Sequence, residues 1–287
     1  MRDAEWIRYS EFRIPNSEFR MKGVILAGGL GKRLEPLTRI TNKHLLPVYD
    51  RPMIYFTVQT LVDAGLTEIM LVVGGNHAGE FLRLLGNGAE FGLRHLNYTY
   101  QRGEGGIADA LHLTEHFADG DKMVVILGDN ILEQSIRPSV ERFAAQPSGA
   151  RLLLKEVEDP GRFGVAEVRE GKIVGIEEKP ARPKSSFVVT GVYMYDCAVF
   201  DIIKRLEPSG RGELEITDVN NAYLRRGQLA YDVLEGWWTD AGLPETLYRA
   251  TTLVRERAMK NMRSAECGVR NENIIPNSEF PIPNFRR

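Results

Sequence analysis

The chain has only two cysteines among its 287 residues, Cys197 and Cys267. Two thiols are too few for the disulfide framework of a small secreted domain or for a thiolate metal site, which favours a reduced compartment. Cys197 lies between apolar runs and is predicted to be a small core residue. No stretch approaches the roughly 20 consecutive apolar residues of a membrane helix, and the N-terminus lacks the apolar centre of a signal peptide. We therefore expect a cytoplasmic protein that binds no membrane.

An excess of charge of one sign is also missing, because the formal net charge is -2. Bulk charge therefore gives no reason to expect nucleic acid or a membrane surface as a partner. With 43% hydrophobic residues, a chain of this length can bury one large core or two modest ones.

The most informative segment is residues 21–47, which read MKGVILAGGLGKRLEPLTRITNKHLLP. Its apolar run at 23–27 is typical of a parallel strand that is buried on both faces. Glycines, which let backbone N–H groups turn toward an anion, follow this run at Gly28, Gly29 and Gly31. Cations then recur at Lys32, Arg33, Arg39 and Lys43. The segment predicts a triphosphate-binding loop.

Two better-known glycine motifs do not fit this segment. A dinucleotide-binding G-x-G-x-x-G would need glycine where Leu34 stands. A Walker A loop would need Ser or Thr at Arg33 and glycine at Leu26. The remaining alternative is a strand-to-helix turn that needs glycine for its geometry alone, and the cations Arg33 and Lys43 argue against it.

Both ends of the chain carry the same hexapeptide, IPNSEF, at residues 14–19 and 275–280. Its proline, asparagine and serine content argues against packed structure, and disorder concentrates at termini. We expect residues 1–20 and 266–287 to be disordered tails around one domain at 21–260. Pairing of the two tails into a small accessory sheet is the alternative.

Strands and helices alternate between the tails. In the first half, about 21–149, buried strands are predicted at 23–27, 68–73, 96–100 and 122–127, with helices at 52–65, 77–85 and 107–117. This alternation implies a doubly wound α/β unit, with a largely parallel mixed sheet between helices. The second half, about 150–260, predicts a β-rich lid with strands at 150–157, 164–169, 172–177 and 187–195. Helices at 196–206, 217–226 and 244–259 and a strand at 228–234 complete it.

Two aspartates are candidate metal ligands. Asp129 directly follows a buried strand, at the carboxyl end where open α/β sheets bind ligands. Asp240 lies in the segment WWTDAG, in a predicted turn ahead of a helix. A hard divalent cation prefers one or two carboxylates together with phosphate oxygens. The alternatives are a helix N-cap for Asp240 and a plain turn residue for Asp129.

Two further segments are candidates for substrate binding. The second glycine-rich loop, QRGEGGIA at 101–108, begins with Gln101, whose amide can match the hydrogen-bonding edge of a pyrimidine beside a glycine such as Gly106. The segment EEKP at 177–180 offers a carboxylate for sugar hydroxyls and an ammonium group for a phosphate. A solvated surface charge run is the alternative for the latter.

Taken in order, these segments resemble the sugar-1-phosphate nucleotidyltransferases, and within that family the short-form glucose-1-phosphate thymidylyltransferases. The resemblance covers about residues 21–257. It rests on the glycine loop at 28–38, KHLLPVYDRPMI at 43–54, LGDN at 127–130, EEKP at 177–180, VTGVY at 189–193 and RGELEITDVN at 211–220.

The resemblance implies a Rossmann-like nucleotidyltransferase fold and the reaction of dTTP with glucose 1-phosphate to give dTDP-glucose and pyrophosphate. It implies nucleotide contacts from Gly28, Gly29, Gly31, Arg33, Gln101 and Gly106, with Arg33 and Lys43 also catalytic. It implies Mg²⁺ held by Asp129 and Asp240, and a sugar-phosphate pocket formed by Gly164, Glu178, Lys179 and Val189. It further implies a homotetramer. UTP as donor, another sugar, or a silent regulatory subunit remain alternatives.

The chain departs from the family pattern at a few positions. Phe163 stands where the family often has tyrosine, and Lys32 and Leu243 stand where it usually has threonine. None of these departures removes a proposed ligand. Because the family residue at position 32 is uncharged, we interpret the charge of Lys32 as peripheral.

Overall fold

A computed structural model describes residues 21–266 of the chain, with side chains up to residue 261. The predicted tail at 1–20 lies outside the described residues, and so does the predicted tail at 266–287 except for residue 266, which is the last residue of a helix.

The elements follow one another in an α/β order over the described range. The strands are β1 (Met21–Ala27), β2 (Pro47–Val48), β3 (Arg51–Pro52), β4 (Glu68–Gly74), β5 (His95–Gln101), β6 (Lys122–Leu127), β7 (Asn130–Leu132), β8 (Ala150–Glu156), β9 (Gly164–Arg169), β10 (Lys172–Glu178), β11 (Phe187–Tyr195), β12 (Leu229–Val233) and β13 (Trp238–Asp240). The helices are α1 (Met53–Asp63), α2 (Ala78–Leu85), α3 (Ile107–His112), α4 (Glu115–Ala118), α5 (Arg137–Ala145), α6 (Ala198–Ile203), α7 (Ile216–Arg225) and α8 (Pro244–Glu266).

One large mixed sheet runs through both halves of the described chain. Its main order is β10-β9-β11-β6-β1-β4-β5, and β8 lies between β11 and β12. The neighbours β6, β1, β4 and β5 are parallel, and their apolar runs are buried because helices cover both faces. The strand β11 joins β6 in antiparallel orientation, so the predicted β-rich lid is a continuation of the central sheet.

The core lies in two layers, one on each face of the sheet. The first layer contains Ile54 of α1, Phe81 of α2 and Phe143 of α5, all fully buried. The second contains Leu111, Phe200 and Tyr223, from α3, α6 and α7. A smaller cluster under α8 includes Val48, Met53, Ile131, Ala241 and Ala250. This last cluster fixes the segment around Ala241 against the first half of the chain.

Three predictions from the sequence are corrected. The predicted helix at 107–117 is two short helices, because the chain turns at Thr114, whose hydroxyl donates to the carbonyl of Leu111 at 2.7 Å. The last helix continues past residue 259 to Glu266. Cys197 is exposed, since it lies just ahead of α6 rather than inside the sheet.

Among the helices that the structure describes, none has both the length and the apolar composition required to span a bilayer.

Leu71 and Leu82 allow a test of this core assignment. Leu71 of β4 is fully buried, whereas Leu82 of α2 is 52% exposed. We expect Leu71→Ala to lower the free energy of unfolding by about 2–5 kcal/mol, because it removes packed methyl groups and leaves a cavity. Leu82→Ala is the matched control and should change it by no more than about 0.5 kcal/mol. Urea denaturation measures both, and equal losses would contradict the assignment.

Candidate active site

The glycine loop after β1 is shaped by the close approach of strand ends. A Cβ on Gly28 would lie 2.3 Å from Oε1 of Gln101, and a Cβ on Gly74 would lie 2.6 Å from the carbonyl oxygen of Gly28. Only glycine fits at position 74, where the clash would be with backbone, whereas a Cβ at position 28 would displace the Gln101 amide. Gly31 has a positive φ of 70° and its carbonyl accepts from the amide of Leu34 at 2.8 Å, which starts a short 3-10 helix.

The 3-10 helix presents two cations to solvent. Arg33 is exposed and has no ion pair among the described residues. Lys32 is also exposed, and its Nζ lies 2.6 Å from Glu104 of the second glycine-rich loop. Gly29, exposed beside them, lies close to the Lys43 side chain, since a Cβ on Gly29 would be 3.4 Å from its Cε. The loop therefore keeps Arg33 available to an anionic ligand.

Lys43 and Asp129 form a largely buried ion pair at the carboxyl edge of the sheet. Nζ of Lys43 lies 2.6 Å from Oδ2 of Asp129, and the two side chains are 17% and 13% exposed. Burial alone would raise the pKa of Asp129, but the charge of Lys43 outweighs it together with smaller contributions, so that the pKa falls to about 2. The sequence analysis named Lys43 and Asp129 in separate motifs and predicted no contact between them. The fold places them in contact.

Next to this pair lies His44, which is buried and neutral. Its backbone amide donates to Oδ1 of Asn42 at 2.9 Å, so Asn42 caps the 3-10 helix that carries Lys43. Burial, and next the charge of Lys43, lower the pKa of His44 to about 3. The imidazole therefore adds no positive charge to the site at neutral pH.

Asp240 reaches Asp129 by a strand pairing that the sequence did not predict. Asp240 ends β13 rather than lying in a turn, and β13 pairs with β7 so that Asp240 faces Asn130. The amide of Ala241 donates to the carbonyl oxygen of Asp129 at 2.8 Å. A Cβ on Gly242 would lie 3.3 Å from Oδ2 of Asp240 and 3.6 Å from Oδ2 of Asp129. Both carboxylates therefore face the same small volume.

The pKa of Asp240 is shifted in the opposite direction from that of Asp129. Burial, and next the charge of Asp129, raise its pKa, while Arg162 opposes the rise from 3.5 Å. Two carboxylates that repel each other across a small gap fit a divalent cation, which would relieve the repulsion. Within the described residues no group of three or more His, Cys, Asp or Glu side chains could hold a metal. The rest of the coordination would come from ligand oxygens and water, as Mg²⁺ prefers.

The second glycine-rich loop is braced against the second half of the chain. A Cβ on Gly106 would lie 2.6 Å from the carbonyl oxygen of Leu214, and the Leu214 amide donates to Gly105 at 2.8 Å. The side-chain nitrogen of Gln101 donates to the carbonyl of Gly106 at 3.0 Å and to Asp109 at 2.8 Å. Gln101 thus shapes this loop with its amide nitrogen and keeps its Oε1 beside Gly28.

The predicted sugar-phosphate residues cluster where β9, β10 and α7 meet. A Cβ on Gly164 would lie 3.4 Å from Oε2 of Glu178, which accepts from the hydroxyl of Thr217 at 2.6 Å. Lys179 follows with a positive φ of 44°, and its Nζ lies 3.3 Å from Oε1 of Glu178. Val189 is buried in the neighbouring strand β11.

Sequence reasoning assigned no role to Arg211, although it named the segment that contains it. Its guanidinium lies 2.8 Å from Glu215, 3.4 Å from Glu213 and 3.6 Å from Glu178. Arg211 is therefore a further cation next to the candidate sugar-phosphate pocket. The sequence feature that could have identified Arg211 is its position at the start of the segment RGELEITDVN.

Comparison with known proteins identifies the family of the chain. Residues 22–257 match the model of the nucleotidyl transferase family. The chain is 44% identical over 239 residues to the glucose-1-phosphate thymidylyltransferase of Neisseria meningitidis. The aligned region covers 82% of this chain and 83% of the relative. A Bacillus anthracis structure described as a glucose-1-phosphate thymidylyltransferase in complex with sucrose is 56% identical, with a TM-score of 0.79 over 82% of this chain and 95% of that one.

A UDP-glucose pyrophosphorylase solved with UDP-glucose has a TM-score of 0.72 over 83% of this chain and 99% of that one. At 22% identity it shares the fold alone. From the matched family model and these relatives, together with the glycine loop and the paired aspartates, the chain belongs to the nucleotidyl transferase family.

Proposed function

We propose that this protein is a glucose-1-phosphate thymidylyltransferase, which transfers the thymidylyl group of dTTP to glucose 1-phosphate and releases pyrophosphate. The observation that carries the proposal is the meeting of Lys43, Asp129 and Asp240 at the carboxyl edge of the sheet, directly beside the glycine loop. The relatives that match most of this chain carry the same activity in their names.

The reaction needs no nucleophile from the protein. An oxygen of the sugar phosphate is already anionic and attacks the α-phosphorus in line, so the P–O bond to pyrophosphate breaks as the new one forms. The protein then has to hold two anions together and stabilise the charge that develops. In this proposal Arg33 and Lys43 face the triphosphate, and Lys179 meets the phosphate of the sugar.

The remaining predicted residues bind the two substrates. The backbone at Gly28, Gly29 and Gly31 approaches the phosphates, and Oε1 of Gln101 with the loop at Gly106 contacts the pyrimidine. Gly164, Glu178 and Val189 line the sugar pocket, with the Glu178 carboxylate as acceptor for hydroxyl groups.

Asp129 and Asp240 would hold Mg²⁺ in the proposed site. The ion supplies charge neutralisation at the phosphate oxygens and a template that orients them. The protein itself contributes two carboxylates fixed by the pairing of β7 with β13.

A pyrophosphate-release assay with glucose 1-phosphate and each of dTTP, UTP, CTP and GTP tests the function. We expect the fastest release with dTTP. The bases of dTTP and UTP differ by one methyl group, worth about 0.8 kcal/mol when buried, so recognition of the base alone gives only a modest preference, and any larger preference over UTP has to come from the 2′-position of the sugar. Preferred use of UTP would make the protein a uridylyltransferase, and no release with any nucleotide would favour a regulatory subunit.

We also propose a cytoplasmic homotetramer for this enzyme, as the family resemblance implies. Sedimentation velocity of the purified chain measures the number of subunits, and a monomer at micromolar concentration would contradict the proposal.

Arg33 is the residue whose loss should reduce turnover most selectively. We expect Arg33→Ala to lower kcat by about 10²-fold or more, the scale of a lost electrostatic contact in the transition state. Arg39→Ala is the control, because Arg39 is an exposed arginine of the same loop that pairs with Glu35 at 3.6 Å. Initial rates at saturating dTTP measure both, and a kcat of Arg33→Ala within threefold of wild type would overturn its role.

The two aspartates should respond to neutralisation in opposite directions in metal-free protein. The pKa of Asp129 is lower in the folded state than in the unfolded state, so the ionised carboxylate stabilises the fold at pH values above the unfolded pKa. This stabilisation is lost as the pH falls toward about 2. The pKa of Asp240 is raised, so its protonated form is favoured by folding and stability is lost as pH rises through the folded pKa.

At pH 7 with a chelator, we therefore expect Asp129→Asn to lower the melting temperature and Asp240→Asn to raise it. The gain of Asp240→Asn should shrink as the pH falls toward about 4, the ordinary range of aspartate, because the wild-type carboxyl is then protonated too. Differential scanning fluorimetry measures the melting temperatures. A loss of stability in both variants at pH 7 would contradict the electrostatic assignment.

A further inference from the structure

Asn130, the residue after Asp129, has a side chain that is almost fully buried and is hydrogen-bonded through both its nitrogen and its oxygen. It is 2% exposed. Its Nδ2 donates to Oδ1 of Asp129 at 3.0 Å. Its Oδ1 accepts from the indole Nε1 of Trp238 at 2.7 Å and from the backbone amide of Gly191 at 3.1 Å. One amide therefore joins β7, β11 and β13 at the candidate metal site.

The orientation of this amide is determined by its partners. An indole N–H and a backbone N–H can only donate, so both must face the oxygen of the Asn130 amide. The nitrogen is then directed to Asp129, whose ionised carboxylate can only accept. The hydrogen-bonding capacity of three surrounding groups thus leaves Asn130 a single arrangement.

The backbone of β11 makes room for the amide. A Cβ on Gly191 would lie 2.4 Å from Nδ2 and 2.8 Å from Oδ1 of Asn130, so any larger residue would displace the side chain. The register of β11 against β8 shifts between Val189 and Tyr193, the interval that contains Gly191. The irregular part of β11 therefore contains the glycine that contacts Asn130, and this glycine is two residues from the predicted sugar contact Val189.

The Asp129 carboxylate is consequently held at both oxygens. Lys43 binds Oδ2 at 2.6 Å, and Asn130 binds Oδ1 at 3.0 Å. The Lys43 ammonium sits on a flexible chain, whereas the Asn130 amide is fixed by Trp238 and Gly191. Of the two contacts, the one from Asn130 is the better suited to set the plane of the carboxylate.

We propose that Asn130 is a positioning residue, which fixes the Asp129 carboxylate for a divalent cation and ties it to the strand that carries Val189. The inference rests on the proposed function, because it takes Asp129 and Asp240 as the metal ligands. Hydrogen-bonded partners of metal-binding carboxylates typically change metal affinity by about 10- to 100-fold when they are removed.

The test is a titration of the full chain with Mn²⁺ in place of Mg²⁺, followed by the relaxation of water protons. Asn130→Ala should bind Mn²⁺ at least about tenfold more weakly than wild type. Trp238→Phe, which removes one donor to Oδ1 but keeps Asn130, should weaken binding in the same direction by a smaller factor. Asn130→Ala should also need more Mg²⁺ for half-maximal turnover, with kcat recovering in part at saturating Mg²⁺.

Asn220→Ala is the matched control, because Asn220 is a buried asparagine that bonds the Tyr195 hydroxyl at 2.5 Å. It should lose stability but keep the wild-type Mn²⁺ affinity. If Asn130→Ala also keeps that affinity, while Asp129→Asn abolishes binding, Asn130 is structural and the inference is overturned. If Asp129→Asn binds Mn²⁺ as wild type does, the metal site of the proposed function fails, and the inference fails with it. Thermal melts of each variant establish that the titrated protein is folded.

Discussion

Asp129 lies at the end of a central strand with most of its side chain out of water, and the Lys43 ammonium group lies 2.6 Å from it. An ionised carboxylate in such a place is tolerated only when it is paired and hydrogen-bonded. Removing one partner of a buried pair leaves an uncompensated charge, which typically costs about 3–5 kcal/mol. This constraint makes the placement of Lys43 important, and Asn42 caps the N-terminus of the 3-10 helix from which Lys43 reaches the carboxylate.

The continuity of the sheet also connects the candidate metal site with the candidate sugar-phosphate pocket. Because β11 pairs directly with β6, the strand that leads to Asp129, the predicted sugar contact Val189 lies on the neighbour of the strand that positions this candidate metal ligand. The loop at Gly106 is bonded to Leu214, so the base-binding loop is also fixed relative to the second half. The two halves are therefore joined both by the continuous sheet and by the contacts of the second glycine-rich loop.

The sequence predicted the buried parallel strands well, because a strand covered on both faces is a continuous apolar run such as Val124–Leu127. It could not predict β7 and β13, since three-residue strands have no periodicity, and Asp240 was therefore placed in a turn. The contacts of Asn130 were equally hidden. They depend on Gly191 and Trp238, which are 61 and 108 residues away and meet Asn130 only after the sheet has formed. Residue types and motifs name the candidate ligands, but the groups that orient them come from long-range pairing.

Lys32 and Lys43 of segment 21–47 show how burial decides which cation belongs to the site. Lys32 also forms an ion pair at 2.6 Å, with Glu104, but the two side chains are 65% and 49% exposed. An exposed pair of this kind contributes about 0–1 kcal/mol and is screened by salt, so it cannot hold the two glycine-rich loops in a fixed relation. Lys43 makes a contact of the same length with side chains that are only 17% and 13% exposed, so water competes much less for the two charges. The same distance therefore has different consequences, and the interpretation of Lys32 as a peripheral charge follows from its solvation as well as from the family pattern.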